Sequence, residues 1–199
     1  MSKDFWNKRY LEEHFAYGIN PNEFYKSQIE KLNPGKALFL GEGEGRNSVY
    51  AATLGWEVEA VDFSTSAKEK ALKLAKEKNV EINYTISDLN DYRFKKDYYD
   101  LVVMIFLHLP KVLNNKIFIE SILSLKPIGK LLVETFNEKQ INNSSGGPKD
   151  PQLLFSEDKL KNLISGLKIK ILESKTIELN EGIYHKGKAD VLRFLGEKV

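Results

Sequence analysis

The sequence predicts an α/β fold built on a doubly wound, mostly parallel seven-stranded sheet with a C-terminal antiparallel hairpin strand. Two observations predict it. Between residues 36 and 136, five apolar strand-like segments alternate with helical segments, which is the pattern of parallel strands joined by crossover helices. Beyond them, segments 168–179 and 187–195 flank a Glu181-Gly182 turn and predict a hairpin.

Length and composition fit one domain over residues 1–199. The formal net charge of +2 gives no argument for a nucleic-acid partner. The chain has no cysteine, which excludes disulfides and thiolate chemistry and fits a cytoplasmic location. No apolar run approaches the length of a membrane span, and residues 1–15, which mix acids and aromatics with bases, fit neither a secretory nor a transit signal.

Two helices are predicted at the start of the chain. Aromatic and apolar spacing predicts an amphipathic helix over Lys3–Phe15. A second helix is predicted over Asn22–Leu32, where the turn sequence Asn33-Pro34-Gly35 ends it.

The next segment, Lys36–Asp62, is the most informative one. It predicts a buried strand, a glycine turn, a helix and a second strand, at Ala37–Leu40, Gly41–Gly45, Arg46–Leu54 and Glu57–Val61. Asp62 then stands where the acidic residue of a nucleotide-binding βαβ unit accepts hydrogen bonds from ribose hydroxyls. The alternative is that Asp62 only caps the following helix at Ser64.

The residues between the glycines favour one kind of nucleotide. Gly41, Gly43 and Gly45 let the backbone turn sharply and let a ligand approach it. Glu42 and Glu44 lie between them, and carboxylates there would repel the pyrophosphate that a dinucleotide places at a helix N-terminus. They suit a cation, and S-adenosylmethionine (SAM) carries a sulfonium and an ammonium but no phosphate. We therefore predict SAM rather than NAD as the cofactor; the alternative is a tight turn without a ligand.

The remaining elements follow in order. We predict helices over Ser66–Lys78, from Pro110 and from Ser156, strands over Glu81–Ile86, Asp100–Phe106 and Lys130–Phe136, and an irregular segment over Asn137–Pro151. In an open parallel sheet, ligands bind beyond the carboxyl ends of the strands. Asp88-Leu89 and Phe106–His108 follow such ends, so we expect them to share a crevice with the glycine turn.

The stretch GEGEGRNSVY…GWEVEAVD, the later SDL at 87–89 and the closing hairpin resemble the tellurite-resistance methyltransferase family. More broadly, the chain resembles class I SAM-dependent methyltransferases, which have a Rossmann-like fold, over essentially its whole length. The resemblance implies that the three glycines pass under the methionine part of SAM, and that Asp62 meets the ribose with Phe63 beside the adenine. It further implies that Asp88 accepts from the adenine amino group, with the Leu89 amide nearby.

The resemblance also assigns a lid and a substrate side. Residues 1–33 are expected to cover the pocket as a helical lid. Phe106 and His108 are expected to line the methyl-donor side, and His185 falls where the tellurite-resistance family has a histidine at its substrate mouth. The plain alternatives are a polar cap at a strand end for His108 and a turn residue for His185.

Two departures from the class stand out. Phe39 occupies a position where an acid usually helps to orient the methionine end, so Glu42 or Glu44 would have to compensate. No Asn/Asp-Pro-Pro-Tyr/Phe motif follows the fourth strand, which argues against methylation of the adenine amino group in DNA.

The predicted function is transfer of the SAM methyl group to a small-molecule acceptor. The acceptor is an oxyanion such as tellurite or selenite, a thiol-like compound or another small nucleophile. The alternatives are a non-catalytic protein that binds SAM or a nucleoside and, disfavoured by the turn glutamates, an NAD-dependent oxidoreductase. No nucleic-acid or membrane partner is expected, and the chain is predicted to be a monomer or a weak homodimer.

The predicted site combines these assignments. If the acceptor arrives protonated, a histidine is the candidate base, because its unperturbed pKa lies near neutrality. The predicted catalytic residues are His108 and His185, and no metal site is predicted. The predicted cofactor-binding residues are Gly41, Glu42, Gly43, Glu44, Gly45, Asp62, Phe63, Ser64, Asp88, Leu89, Phe106, Trp6, Arg9 and Tyr10.

Overall fold

The structure is a computed structural model that describes residues 3–199, so Met1 and Ser2 of the predicted lid lie outside the described residues. Its strands are β1 (Lys36–Leu40), β2 (Glu57–Asp62), β3 (Asn83–Ile86), β4 (Tyr99–Ile105), β5 (Leu125–Phe136), β6 (Leu167–Glu181) and β7 (His185–Lys198). Its α-helices are α1 (Lys3–Tyr10), α2 (Glu23–Ile29), α3 (Arg46–Thr53), α4 (Thr65–Glu77), α5 (Lys111–Ser124) and α6 (Glu157–Lys161).

The strands form one sheet in the order β3-β2-β1-β4-β5-β7-β6. Neighbouring strands among the first five are parallel, and β7 runs antiparallel between β5 and β6. This confirms the predicted doubly wound α/β class and its C-terminal antiparallel strand. The direction of strand succession reverses between β1 and β4, which is the position where open α/β sheets bind ligands.

Helices cover both faces of the sheet, and β1 shows why both faces are apolar. Alternate residues of a strand point to opposite faces. Leu38 and Leu40 pack into the core cluster that includes Phe118 of α5, whereas Ala37 and Phe39 pack into the cluster that includes α2 and α3 residues. A continuous apolar run is therefore required here, as in other buried parallel strands.

The first helix is shorter than predicted. The sequence predicts a helix over Lys3–Phe15, but α1 ends at Tyr10. Beyond it, the Ala16 amide donates to the Glu44 carboxylate at 2.7 Å instead of continuing a helix, and Gly18 has a left-handed φ of 71°. The segment after α1 is therefore not helical, and it contacts the glycine turn through this hydrogen bond.

Other boundaries also shift. α4 begins one residue before the predicted start, because Ser64 rather than Ser66 is its cap and accepts from the Ala67 amide at 3.2 Å. Pro110 caps α5 rather than forming its first residue, and α2 and β3 are shorter than predicted. The predicted irregular segment includes a 3₁₀ turn over Glu138–Asn142.

The fifth strand starts earlier than the predicted Lys130. Leu125 already pairs with Tyr99, and the ladder resumes at Lys130 after an irregularity. Ile128 has a left-handed φ of 61° within that irregularity. A side chain at Gly129 would lie 2.9 Å from the Lys126 carbonyl oxygen, so the bulge depends on this glycine.

Candidate active site

A cavity of about 400 Å³ lies at the carboxyl ends of the parallel strands, and α1 contributes to its wall. It brings together all predicted site residues except Gly45 and Ser64. The lining residues among those predictions are Trp6, Arg9, Tyr10, Gly41, Glu42, Gly43, Glu44, Asp62, Phe63, Asp88, Leu89, Phe106, His108 and His185.

The glycine turn follows β1 and forms the floor of this cavity. Gly41 and Gly43 have left-handed φ angles of 63° and 64°, which other residues rarely adopt. A side chain at Gly43 would lie 2.8 Å from the Tyr10 hydroxyl, and one at Gly41 would lie 2.6 Å from Leu107 Cδ1. Both conformation and space therefore require glycine, as the sequence predicts.

Gly45 and Ser64 were predicted to bind the cofactor, but they lie outside the cavity lining. A side chain at Gly45 would lie 2.6 Å from Ala71 Cβ, so this glycine allows α3 to approach α4. The Ser64 hydroxyl donates to Asn7 Oδ1 at 2.6 Å and caps α4. Both residues hold the helices around the site, and their predicted cofactor contacts stay predictions.

Glu42 closes the N-terminus of α3. One carboxylate oxygen, Oε1, accepts from the Asn47 amide at 3.1 Å and from the Ser48 amide at 2.7 Å. Burial raises the pKa of Glu42 to about 7, although these two amides and the nearby Arg46 oppose the shift. A carboxylate of the chain itself thus occupies the place where a helix N-terminus would receive a phosphate.

Glu44 has a different role from Glu42. Its carboxylate pairs with Lys70 at 2.8 Å and accepts from the Ala16 amide at 2.7 Å, and Lys70 also donates to the His14 carbonyl at 2.6 Å. The prediction treated both turn glutamates as free to face a cation. Because Lys70 already balances its charge, Glu44 instead fastens the segment after α1 to the turn.

Asp62 ends β2 and faces the turn. Its Oδ2 accepts from the Gly43 amide at 3.0 Å, and its Oδ1 accepts from the Ser64 amide at 2.9 Å. Burial raises the pKa of Asp62, while these amides oppose the shift. The carboxylate thus braces both the turn and the start of α4, and it also lines the cavity, while its predicted contact with a ribose stays a prediction.

The residues predicted beside the adenine surround the outer part of the site. Phe63 is partly buried, Leu89 is buried and Asp88 is exposed. Asp88 Oδ1 accepts from the Asn90 amide at 2.8 Å, which closes a turn after β3. Phe39, in place of the usual acid, is fully buried with its ring centroid 5.8 Å from that of Tyr25, so no carboxylate reaches the site from that position.

The helix α1 brings aromatic and cationic side chains to the cavity. Trp6 and Tyr10 stack with their ring centroids 5.4 Å apart. The Arg9 guanidinium lies 3.9 Å from the ring centroid of Tyr184 and donates to the Tyr17 hydroxyl at 3.1 Å. α1 is therefore held against the β6–β7 hairpin as well as against the turn.

An aromatic chamber, formed by Phe106, His108, Phe136 and His185, lies beyond β4 and β5. Phe106 stacks on Phe136 with centroids 4.5 Å apart, and His185 meets Phe106 edge-on at 4.7 Å. The His108 ring is nearly parallel to that of Phe136, at 5.6 Å and 11°. Phe106 adopts a left-handed φ of 53°, a strained conformation of the kind that clusters at functional sites.

The two histidines differ in their partners. His108 Nδ1 lies 2.8 Å from the Leu153 carbonyl oxygen, and burial lowers the pKa of His108 to about 4. His185 Nδ1 lies 3.4 Å from a Glu181 carboxylate oxygen that also pairs with Arg46 at 2.9 Å. Burial lowers the pKa of His185 as well, against the opposing effect of Glu181. Both imidazoles are therefore neutral at neutral pH.

Sequence reasoning missed several lining residues, among them Tyr17, Arg46 and Pro148. Arg46 directly follows the glycine turn, so its position was a signal that had been assigned only to the start of a helix. Its partner Glu181 lies 135 residues further along the chain, and no spacing in the sequence indicates that pair.

Neither a metal-binding group of side chains nor a membrane-spanning helix is found in the described residues. Residues 3–199 contain no group of three or more His, Cys, Asp or Glu side chains placed to hold a metal ion. None of the helices within that range is long and apolar enough to cross a membrane.

Comparisons with known proteins identify a family and a shared fold. A family model described as tellurite resistance protein TehB matches residues 2–133. The chain is 26% identical over 113 residues to a probable S-adenosyl-L-methionine-dependent methyltransferase TehB of Haemophilus influenzae, covering 52% of this chain and 40% of that protein. It is 31% identical over 148 residues to a ubiquinone biosynthesis O-methyltransferase of Rickettsia akari, covering 69% of this chain and 57% of that protein. The chain thus spans only part of the length of these relatives.

Solved structures show the same fold. The crystal structure of TehB from Haemophilus influenzae is similar with a TM-score of 0.75 and 20% identity, over 99% of this chain and 67% of that chain. The N-methyltransferase NodS from Bradyrhizobium japonicum, in complex with S-adenosylhomocysteine, is similar with a TM-score of 0.76 and 13% identity, over 98% of this chain and 97% of that one.

Proposed function

The chain belongs to the tellurite resistance protein TehB family, and on that premise we propose that it is a SAM-dependent methyltransferase acting on a small-molecule acceptor. The predicted family and fold class are thereby confirmed. SAM as the cofactor is supported by the relatives named as SAM-dependent methyltransferases and by the similar fold solved with S-adenosylhomocysteine.

The observation that carries the proposal is the arrangement of Glu42 at the N-terminus of α3. The Glu42 carboxylate accepts the Asn47 and Ser48 amides, which leaves no free helix N-terminus for a pyrophosphate. Beside it, Asp62 faces the cavity where a ribose would need an acceptor. The site therefore fits an adenosine compound without phosphates, and it disfavours the alternative of an NAD-dependent oxidoreductase.

The residues of the chain divide between holding the cofactor and shaping the acceptor space. Asp62 would accept from the ribose hydroxyls, and the backbone at Gly41 and Gly43 would pass under the methionine part. When bound, SAM supplies an electrophilic methyl group on a sulfonium. The aromatic chamber would then hold the acceptor and exclude water, which are the main contributions a protein makes to such a reaction.

The candidate acceptors are an oxyanion such as tellurite or selenite, a thiol-like compound or another small nucleophile. We also propose that residues 1–199 act as one domain with residues 1–33 as a lid, as a monomer or weak homodimer in the cytoplasm without a nucleic-acid partner. The net charge of +2 supports the absence of a nucleic-acid partner, and the α1 residues in the cavity lining support the lid.

Calorimetric titration with SAM, S-adenosylhomocysteine and NADH tests the cofactor. Wild-type protein is expected to bind the first two and not NADH. Gly43→Val is expected to abolish that binding, because the added side chain enters the cavity at the Tyr10 hydroxyl. Gly166→Val is the matched control, since Gly166 has a similar left-handed φ of 86° but no atom within 4 Å of an added side chain. Tight NADH binding without SAM binding would refute the proposal.

Transfer of a labelled methyl group to a panel of acceptors then tests catalysis. The panel contains tellurite, selenite, thiols and hydroxyl compounds. Binding of SAM without transfer to any acceptor would favour the alternative of a non-catalytic SAM-binding protein.

A further inference from the structure

The strand β6 forms one edge of the sheet, and its outer side is unpaired. β7 is its one neighbour in the sheet and pairs with it over residues 167–181. Within the described residues 3–199, no further backbone–backbone hydrogen bond involves residues 168–181. The amide and carbonyl groups on the outer side are therefore available to another strand, and an exposed edge of this kind is a template for pairing with another chain.

One segment of this edge, Ile171–Ile177, has a sequence that is complementary to itself when it is reversed. The sequence is ILESKTI, with isoleucine at both ends and Ser174 at the centre. Glu173 and Lys175 stand on opposite sides of that centre, so the two halves carry opposite charges. The four central residues are exposed, and the two isoleucines are half-buried. The segment therefore presents both charge and apolar surface at a free edge.

A second copy of the chain fits this segment. If a two-fold axis passes through Ser174 perpendicular to the sheet, the two β6 edges run antiparallel and the two sheets become continuous. Glu173 of each copy then lies opposite the partner's Lys175, and Ile171 lies opposite the partner's Ile177. Each of these pairs occurs twice. Opposite charges and branched apolar side chains that face each other across an antiparallel pair stabilise it.

The facing charges are not strongly paired within one copy. Glu173 lies 3.9 Å from an Arg193 nitrogen, and the same guanidinium already pairs with the buried Glu134 carboxylate at 2.5 Å. Lys175 is exposed, and no ion pair is found for it within residues 3–199. Pairing with a second copy would therefore add an ion pair to Lys175 without breaking a strong one at Glu173.

The charges also select one register. In this symmetric arrangement, facing residues must point to the same side of the sheet, so the axis passes through a residue rather than between two residues. An axis through Glu173 would place two Glu173 side chains opposite each other, and an axis through Lys175 would do the same with two lysines. Like charges in facing positions are destabilising. The neighbouring registers are thus disfavoured, and the one centred on Ser174 pairs every charge of the segment.

We propose that the segment Ile171–Ile177 is the contact of a weak homodimer, in which the β6 strands of two copies pair antiparallel about Ser174. The inference does not depend on the proposed methyltransferase function. The β6–β7 ladder is irregular between Ile169 and Ile171, which limits regular pairing on that side. A contact confined to this short edge lies at the small end of protein interfaces, so we expect a Kd of about 10 µM to 1 mM. Among the described residues, β6 adds none to the cavity lining, so contact and cavity are separate.

Sedimentation equilibrium and ¹⁵N NMR of the full chain, each over a range of protein concentrations, test the contact. The wild type is expected to pass from monomer to dimer, and the amide signals that shift with concentration are expected to be those of residues 171–177 and their immediate neighbours. A wild type that stays monomeric up to the limit of solubility would overturn the proposal. So would a dimer whose shifting signals lie elsewhere, for instance on the exposed apolar residues Val112, Ile119 and Leu123 of α5.

Charge reversal distinguishes this register from any other contact. Lys175→Glu and Glu173→Lys each place like charges opposite each other twice, so either variant alone is expected to have a Kd at least about tenfold higher than the wild type. An equimolar mixture of the two variants has opposite charges at every facing pair, so it is expected to form a heterodimer with a Kd within about threefold of the wild type. Lys73→Glu is the matched control, because Lys73 is exposed on α4, which contacts β3 at the opposite edge of the sheet. It is expected to keep the wild-type Kd within about threefold.

A further variant separates the contact from effects on folding. Glu173→Lys introduces a cation near Arg193, so urea unfolding is measured for every variant. The double variant Glu173→Lys/Lys175→Glu carries the same change beside Arg193 but keeps facing charges opposite, so it is expected to dimerise like the wild type. Undiminished dimerisation of Lys175→Glu alone would overturn the proposal. Failure of both the mixture and the double variant to dimerise, with all chains folded, would also overturn it, and neither result bears on the binding of SAM.

Discussion

Replacing Glu42 by glutamine is expected to raise the free energy of unfolding above pH 7 and to leave it nearly unchanged near pH 4. The two side chains have the same shape, and glutamine keeps an oxygen for the Asn47 and Ser48 amides. What the substitution removes is the charge. Burial raises the pKa of Glu42 from 4.5 to about 7, so ionisation of this side chain is less favourable in the folded protein than in the unfolded chain.

The sign and size of the effect follow from this shift. Between pH 4.5 and about 7, the folded protein binds the Glu42 proton and the unfolded chain has released it. The unfolded state therefore binds fewer protons, and the stability of the wild type falls as the pH rises through this window. Since one pKa unit corresponds to about 1.36 kcal/mol, the loss amounts to at most about 3 kcal/mol at pH 8. Glu42→Gln does not undergo this loss.

Urea unfolding of both proteins, followed by circular dichroism at pH 5 and at pH 8, measures the difference. Glu57→Gln is the matched control, because the Glu57 side chain is 63% exposed in its contact with Lys36. Loss of such a surface ion pair in Glu57→Gln should change the free energy of unfolding by less than about 1 kcal/mol at either pH. An equal difference between wild type and Glu42→Gln at both pH values, or a less stable Glu42→Gln at pH 8, would show that the Glu42 carboxylate is not desolvated at the helix terminus.

Two further predictions concern the same part of the molecule. Asp62→Ala removes the acceptor of the Gly43 amide, and calorimetry should show SAM binding weakened by roughly 1–3 kcal/mol; unchanged affinity would place the ribose elsewhere. Glu181→Gln leaves the buried Arg46 charge without its counter-ion, so urea unfolding at pH 7 should show a loss of roughly 3–5 kcal/mol. Burial alone would raise the pKa of Glu181, but Arg46 and His185 lower it to about 2. The stabilisation of the folded wild type by ionised Glu181 is therefore present above pH 4.5 and is lost as the pH falls towards about 2.

The sequence was sufficient to predict what depends on local backbone chemistry. Gly41 and Gly43 are predictable because a sharp turn after a buried strand requires left-handed φ angles. The position of Asp62 is predictable because the apolar segment that forms β2 ends at this residue. The positions of Phe106 and His108 follow from the rule that ligands bind beyond the carboxyl ends of parallel strands.

What the sequence did not predict depends on distant partners. The tautomer of His108 is set by the Leu153 carbonyl, which lies 45 residues further along the chain. Arg46 is neutralised by Glu181, which comes from the closing hairpin. The path of the segment after α1 likewise depends on the acceptor that Glu44 offers to Ala16. Such pairings are decided by the packing of whole elements, and no spacing within a segment encodes them.

Glu42 and Glu44 show this limit most clearly, because they look equivalent in sequence and are two residues apart. The α3 amides bind the first, which under the proposed function determines the kind of nucleotide that the turn would accept. Lys70 and the Ala16 amide bind the second, and Tyr10 of α1 covers Gly43 between them. The turn that would meet the cofactor therefore also holds the proposed lid in place. Displacement of α1 would uncover Gly43, so we expect access to the cavity and the structure of its floor to depend on the same few contacts.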